Sequence, residues 1–445
     1  MKAKIAIALI LAASCANAEV SRLSDNELNF YSNKIPAKSQ IIKLSGKNDL
    51  TDSKKLNQLM AEVSKKGGGT IIIPAGTYYL KDVQMKSNIH LKIEPAVKLY
   101  PVSPKRPNDR LQLFDFGDLH KIENVALTST VENSQDPKDW FSVTIPKDQY
   151  VGGARFIKVG FAENFKIDGM WLNDNFSKFS AIALNMPESK KRTEIARNGI
   201  IKNVWAQDGN VGYGAVQMQT GFNVLYKNIG GEGGVTLRVE TGATETNRVN
   251  EKCVDNVVIR NVTIKNGDAA FNMSPHRVDQ GRVDAQGITA INSTHAVQIA
   301  AGFLDKKQGV VDNIGTFDSR SYFGDITVMG GAGAQVKTKD FAAYSCAEQI
   351  EMAKNPNLGT ASFKGRSIAA VRDSASKAAG CNGGADNGCY EVNLGKITKL
   401  NSNFVKSSDF NYYKLNKPVI CKEAAAILKA APKKKKSKKS KKSKN

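Results

Sequence analysis

Three segments, "IIKNVWA" (Ile200–Ala206), "VLYKNIG" (Val224–Gly230) and "VVIRNVTI" (Val257–Ile264), share one plan: a short run rich in β-branched residues placed around an asparagine. Such runs favour strands over helices. The pattern recurs in "SNIHLKI" at Asn88, "IENVALT" at Asn124 and "GITAINST" at Asn292. From Asn203 the last four asparagines lie 25, 33 and 31 residues apart. Irregular periods of this size, with many short strands and many glycines, predict an all-β chain wound as a right-handed parallel β-helix. Each coil adds one strand to each of three sheets, and stacked asparagines satisfy exposed backbone at the turns. A propeller would repeat more evenly, and a sandwich of this length would be unusual.

Outward from this core, "TDSKKLNQLMAEVSKK" (51–66) reads as one amphipathic helix. Thr51 or Asp52 serves as its cap, Leu56, Leu59, Met60 and Val63 lie on one face, and Gly67 to Gly69 end it. It is expected to close the N-terminal end of the β-helix, covering apolar core and raw strand edges. Residues 132–153 and 186–198 read as long loops, which on such a scaffold wall a groove. Residues 1–18 read as a signal peptide: Lys2 and Lys4, an apolar run from Ile5 to Ala13, and a small-residue site ending at Ala18. The run is too short to span a membrane, and no later segment is apolar enough. The expected organisation is therefore a leader (1–18), a β-helix of the pectin-lyase type (19–339), a disulfide-held insertion or small lobe (340–392), last strands and C-terminal segment (393–430), and a disordered tail (431–445).

The formal charge is +22, and the tail supplies nine lysines of it. The remaining body is still basic, which for a secreted chain suits an anionic polysaccharide better than nucleic acid. Cys15 leaves with the leader. Cys253, Cys346, Cys381, Cys389 and Cys421 remain. An oxidising compartment then implies two disulfides among the four late cysteines and a buried thiol at Cys253, with the pairing open.

Used as a ruler, the asparagine spacing lays Gln217 over position 242 and 242 over 275. It thereby gathers Gln217, the strand Glu240–Gly242 and His276 into one column. Glu240 is the candidate general acid, provided its surroundings raise its pKa. Gln217 and His276 are placed to hold a water or a substrate hydroxyl. Arg238 shares a face with Glu240, Arg277 follows His276, and Arg248 lies in the next loop. These arginines are candidates to bind an anionic substrate, with Lys178 and Lys306 nearby by cruder extrapolation.

"GGEGGVTLRVET" (230–241), "AVQMQTGFN" (215–223), "NGDAAFNMSPHR" (266–277) and "GGGTIIIPAGTYYLKDVQMKSNIHLKI" (67–93) resemble the iota-carrageenases, β-helical glycoside hydrolases, over most of the chain to about residue 305. The resemblance implies a secreted, monomeric endo-hydrolase that cleaves β-1,4 bonds of iota-carrageenan, a sulfated galactan, with inversion. It puts the acid at Glu240 and its support at Gln217 and His276, beside a water or an ion. It implies no required cofactor, and it is compatible with a structural calcium or sodium ion and a bound chloride. Two sulfates per disaccharide account for the charge, since the guanidinium fork matches a sulfate. One departure stands out. The family carries Glu-x-Asp with the Asp as base, at a spacing of about 6.6–6.8 Å along a strand, and here the second place is Gly242. Glu245, Asp268 and Asp279 are the substitutes to examine. Two other classes fit less well. One is a non-catalytic sulfated-polysaccharide-binding β-helix. The other is a polysaccharide lyase, which would want a uronate, and carrageenan has none.

Overall fold

A computed structural model describes residues 20–106, 108–187, 194–241, 251–304, 314–356, 362–382, 387–412 and 420–430. The expected leader (1–18) and lysine tail (431–445) lie outside them. Strands of three stacked sheets pair in parallel. The first sheet runs from Ser39–Ile41 through Gly69–Ile73, Ile89–Ile93, Ile122–Ser129 and Ala162–Asn173 into the long strands Arg197–Met218, Gly221–Glu240 and Val254–Lys265. The second joins Thr77–Leu80, Lys98–Pro101 and Phe141–Thr144 to the later parts of those strands. The third runs Leu111–Phe116, Ala154–Val159, Ile182–Leu184, the ends of Arg197–Met218 and Gly221–Glu240, then Ala269–Ser274, His295–Ile299, Val371–Asp373 and Phe410–Tyr412. The chain is a parallel β-helix.

The asparagines stack from coil to coil, and their side-chain amides bond to one another. Asn203, Asn228 and Asn261 occupy equivalent places where each coil bends from the first sheet to the second, all with φ between 54° and 57°. Left-handed backbone costs most residues energy, and asparagine tolerates it. The Asn228 amide donates to Asn203 Oδ1 (3.0 Å), and the Asn261 amide donates to Asn228 Oδ1 (3.1 Å). Asn88, Asn124 and Asn164 form a second ladder at the start of the first sheet, again left-handed and amide-linked. Asn292 does not stack on Asn261 as its spacing suggested. Gly287 takes that place, at φ 73° and with room for no side chain, since a β-carbon there would lie 2.5 Å from Asn261 Oδ1. Asn292 instead follows Val283–Ile291, at the end of that strand's second-sheet part.

Helix α1 (Thr51–Lys65) buries Leu56 and Met60 completely in the core beside the first coils. Neither Thr51 nor Asp52 caps it. Leu50 holds the cap position without a side-chain bond, and Asp52 turns away to accept from Ser45 N and Gly46 N. The N-terminal arm went unread in the sequence. Arg22 forks onto Asp284 at 2.6 and 2.8 Å, and Phe30 covers Ile200, Leu225 and Val258 on the outside of the first sheet.

Disulfides join Cys346 to Cys421 and Cys381 to Cys389, and Cys253 is a buried free thiol. The C-terminal stretch departs from the expected boundaries. Val371–Asp373, inside 340–392, is a strand of the third sheet. The lobe core is built from Phe341, Tyr344, Met352, Ala353, Ile368 and Ala369 inside that range, and draws also on Ala334 and Val336 before it and on Ala424 after it. Helices α2 (Cys346–Lys354) and α3 (Lys422–Ala430) pack together there, locked by the Cys346–Cys421 bridge.

Candidate active site

The third sheet provides the floor. In "VTLRVE" (235–240), Val235, Leu237 and Val239 are buried beneath the sheet, so the alternation turns Arg238 and Glu240 outward. Phe271 and Met273 on the next strand are fully buried, and Phe271 meets Phe323 edge-on with ring centroids 4.9 Å apart. Outward positions in register with Arg238 are Lys158, Ala183, Gln217, Asn272, Gln298 and Arg372, a nearly continuous polar row.

His276 comes from the turn "SPHR" after the strand Ala269–Ser274. Thr241 ties that turn to the acid's strand, donating from N to Ser274 O (3.3 Å) and from Oγ1 to Pro275 O (2.5 Å). His276 is left-handed at φ 55°, an uncommon state that its surroundings enforce. Its carbonyl accepts from Phe303 N (2.9 Å) and Gly315 N (3.1 Å), and the Phe303 ring lies 4.1 Å from the imidazole. Nε2 then sits 3.3 Å from Glu240 Oε1.

On its other oxygen Glu240 is ion-paired and hydrogen-bonded to the Arg238 guanidinium. The Glu240 side chain keeps 21% of its exposure, so a ligand over the third sheet can reach it. Burial alone would raise its carboxyl pKa. The charge of Arg238 and the hydrogen bond and charge of His276 outweigh burial and hold the group far below the usual carboxylate range. The raised pKa expected for an acid is thus not found in the free protein.

Gln217 pairs with Arg238 rather than with position 242, and its Oε1 accepts from Ser180 Oγ (3.3 Å). The spacing rule slipped because register shifts interrupt Arg197–Met218 between Ala206 and Gly214, after Asn203 and before the third sheet. Glu240 itself pairs with Ser274, two residues before His276. Gln217, Arg238, Glu240 and His276 therefore do converge. Arg277 is half-buried beside His276 in the chain. Gly242, Glu245, Arg248 and Lys306 lie outside the described residues. Lys178 is exposed at the start of the third sheet, away from the Gln217 row.

Two candidate bases fall away. Asp268 is fully buried, ion-paired with Lys337 and hydrogen-bonded by Gln298 (2.8 Å). Burial raises its pKa, but Lys337 prevails and lowers it to about 2. It also lies six residues before the partner of Glu240, about 20 Å along the strand. Asp279 is exposed and turned onto Thr316, accepting from its N and Oγ1 at 2.9 and 2.7 Å. Phe303 and Ser180 were missed in the sequence. Stacking Asn261 on Gly287, as the chain does, carries His276 onto Gly302, next to Phe303. Among the described residues the one cluster with three metal-type donors is Cys346, Cys421 and Glu423, and its two sulfurs are consumed in a disulfide.

Comparison with known proteins agrees with this fold. No family model matches the chain. It is 29% identical over 264 residues to an iota-carrageenase of Alteromonas macleodii, covering 59% of this chain and 52% of that protein. To an iota-carrageenase of Zobellia galactanivorans it is 30% identical over 260 residues, covering 57% and 50%. The chain resembles the iota-carrageenases. It spans about half the length of these curated relatives. Its fold matches that of a solved 1,3-α-1,4-β-D-galactose-4-sulfate-3,6-anhydro-D-galactose-2-sulfate 4-galactohydrolase with a TM-score of 0.73 at 22% identity, over 92% of this chain and all of that one. Among the described residues no helix is long and apolar enough to cross a membrane.

Proposed function

We propose that this protein is a secreted, monomeric endo-hydrolase that cleaves β-1,4 linkages of iota-carrageenan with inversion. The observation that carries the reading is the Arg238–Glu240–His276 cluster on the outer face of the third sheet, in a chain that resembles the iota-carrageenases. Glu240 protonates the leaving oxygen. Its low pKa in the free protein is reconciled with that role by the substrate. A sulfate ester that engages the Arg238 fork draws the guanidinium off the carboxylate, and burial of the bound site then raises the pKa of Glu240. Gln217 and His276 hold the water, or an ion beside it, and Arg277 and Arg248 add sulfate contacts. With Asp268 and Asp279 excluded, Glu245 is the remaining proposed base. The reaction needs only side chains and water. Calcium, sodium or chloride would act as structural or positioning ions. The basic groove and tail are assigned to the sulfated galactan and not to nucleic acid.

The absence of a carboxylate at Gly242 and the ionised state of Glu240 favour one second reading, a β-helix that binds sulfated galactan without cleaving it. Reducing-end release from purified iota-, kappa- and lambda-carrageenan separates the two. Hydrolysis predicts release from iota-carrageenan with little from the others. No release, with retention on an iota-carrageenan gel, selects the binding protein.

A further inference from the structure

We propose that Arg110, Arg155 and Phe179 form a remote subsite that binds a sulfate ester of a long galactan several sugars away from Glu240. The inference rests on the reading of the ligand as a sulfated polymer. Phe179 has φ 73°, a left-handed state that a bulky aromatic rarely adopts, and such outliers persist only where the surroundings enforce them. The ring lies so close over Gly153 that a β-carbon there would meet it at 2.0 Å. Both the strain and the glycine serve to hold this ring at the start of the third sheet.

Around it, the guanidinium carbons of Arg155 and Arg110 stand 5.0 and 5.4 Å from the ring centroid, and Tyr213 meets it edge-on at 6.2 Å. Exposed Lys178 precedes it in the chain. A ring face attracts each guanidinium and limits its wandering, so the forks are oriented before a ligand arrives. Sulfate suits them because its oxygens match the paired donors of each fork.

The place fits a polymer. Arg155 stands on Ala154–Val159, three strands toward the N-terminus from Arg238, with Lys158, Ala183, Gln217 and Arg238 in register. That is about 14 Å along the axis, and Arg155 is about 10 Å back along the strand direction. A chain bound at both places crosses the third sheet obliquely, from the entry edge of its strands toward Glu240.

The test is steady-state kinetics of Arg110→Gln/Arg155→Gln on polymeric iota-carrageenan and on a purified iota-carrageenan tetrasaccharide, with thermal unfolding as the folding control. Loss of two charge-assisted contacts is expected to raise the KM for polymer about tenfold. The kcat stays unchanged, and so does the KM for a tetrasaccharide too short to span both places. Added salt should raise the polymer KM less steeply in the variant than in the wild type. An unchanged polymer KM overturns the inference, as does an equal loss on the tetrasaccharide. Phe179→Leu, which keeps both arginines, should reproduce part of the effect. If the wild type cleaves nothing, the hydrolase reading falls by itself. Retention on an iota-carrageenan affinity gel then decides the subsite: weaker retention of the double variant supports it, and equal retention overturns it.

Discussion

Glu240 shows how one carboxylate is poised by its neighbours. Arg238 and His276 contact its two oxygens and keep it ionised in the free protein. Removing the guanidinium takes away the largest of the lowering influences, so the carboxyl of Arg238→Met titrates at higher pH. The alkaline limb of kcat/KM, which reports loss of the acid's proton from the free enzyme, is expected to move upward in that variant, alongside a higher KM. A limb that stays in place would mean that Arg238 does not set the protonation of Glu240. At this scale the sequence was informative about Glu240, Gln217, His276 and Arg238, because strand alternation and coil stacking are local rules. It was uninformative about the ion pair's effect on pKa and about Phe303. The first depends on side-chain rotamers within one strand, the second on an approach across coils whose lengths vary.

At the scale of elements, the bends decide the register. Asn228 gives and receives one amide hydrogen bond in its ladder while tolerating φ 54°. Asn228→Ala loses both bonds and strains the backbone, and should cost about 2 kcal/mol, read as a lower urea midpoint. A midpoint equal to the wild type's would show the ladder to be incidental. Near another bend, burial raises the carboxyl of Asp174 to about 8, against the opposing bonds of Ser177, which donates from Oγ at 2.6 Å. The folded chain thus keeps a proton there that the unfolded chain releases near pH 4. Stability falls as pH rises from about 4 to about 8, since the folded state binds more protons in that window. Asp174→Asn should raise Tm at pH 8 and change it little at pH 4. Equal shifts at both would refute the buried neutral acid. The asparagine periodicity predicted the coils, but register shifts between Ala206 and Gly214 and the glycine substitution at 287 are invisible to a count of asparagines.

For the whole molecule, the C-terminal lobe is held together by its own core and one long-range bridge. Cys346→Ser/Cys421→Ser should free α3 from α2, at a cost of about 2–4 kcal/mol to the lobe. Limited proteolysis should then cut near residue 420 before the coils unfold. Protection equal to the wild type's would show that lobe packing alone suffices. The architecture was readable because it repeats. The stretch 340–392 covers most of the lobe core, but it also takes in a coil strand, Val371–Asp373, and leaves out the packing partners Val336 and Ala424, which no local pattern ties to the lobe.

On the proposed mechanism Glu240 is the acid with which this β-helix cleaves a sulfated galactan. The most direct measurement is the initial rate of reducing-end release from iota-carrageenan by Glu240→Gln beside the wild type at matched folding. A loss of about 10²- to 10⁴-fold in kcat is expected, with retention on the polymer unchanged. A variant that cleaves at the wild-type rate would contradict that mechanism.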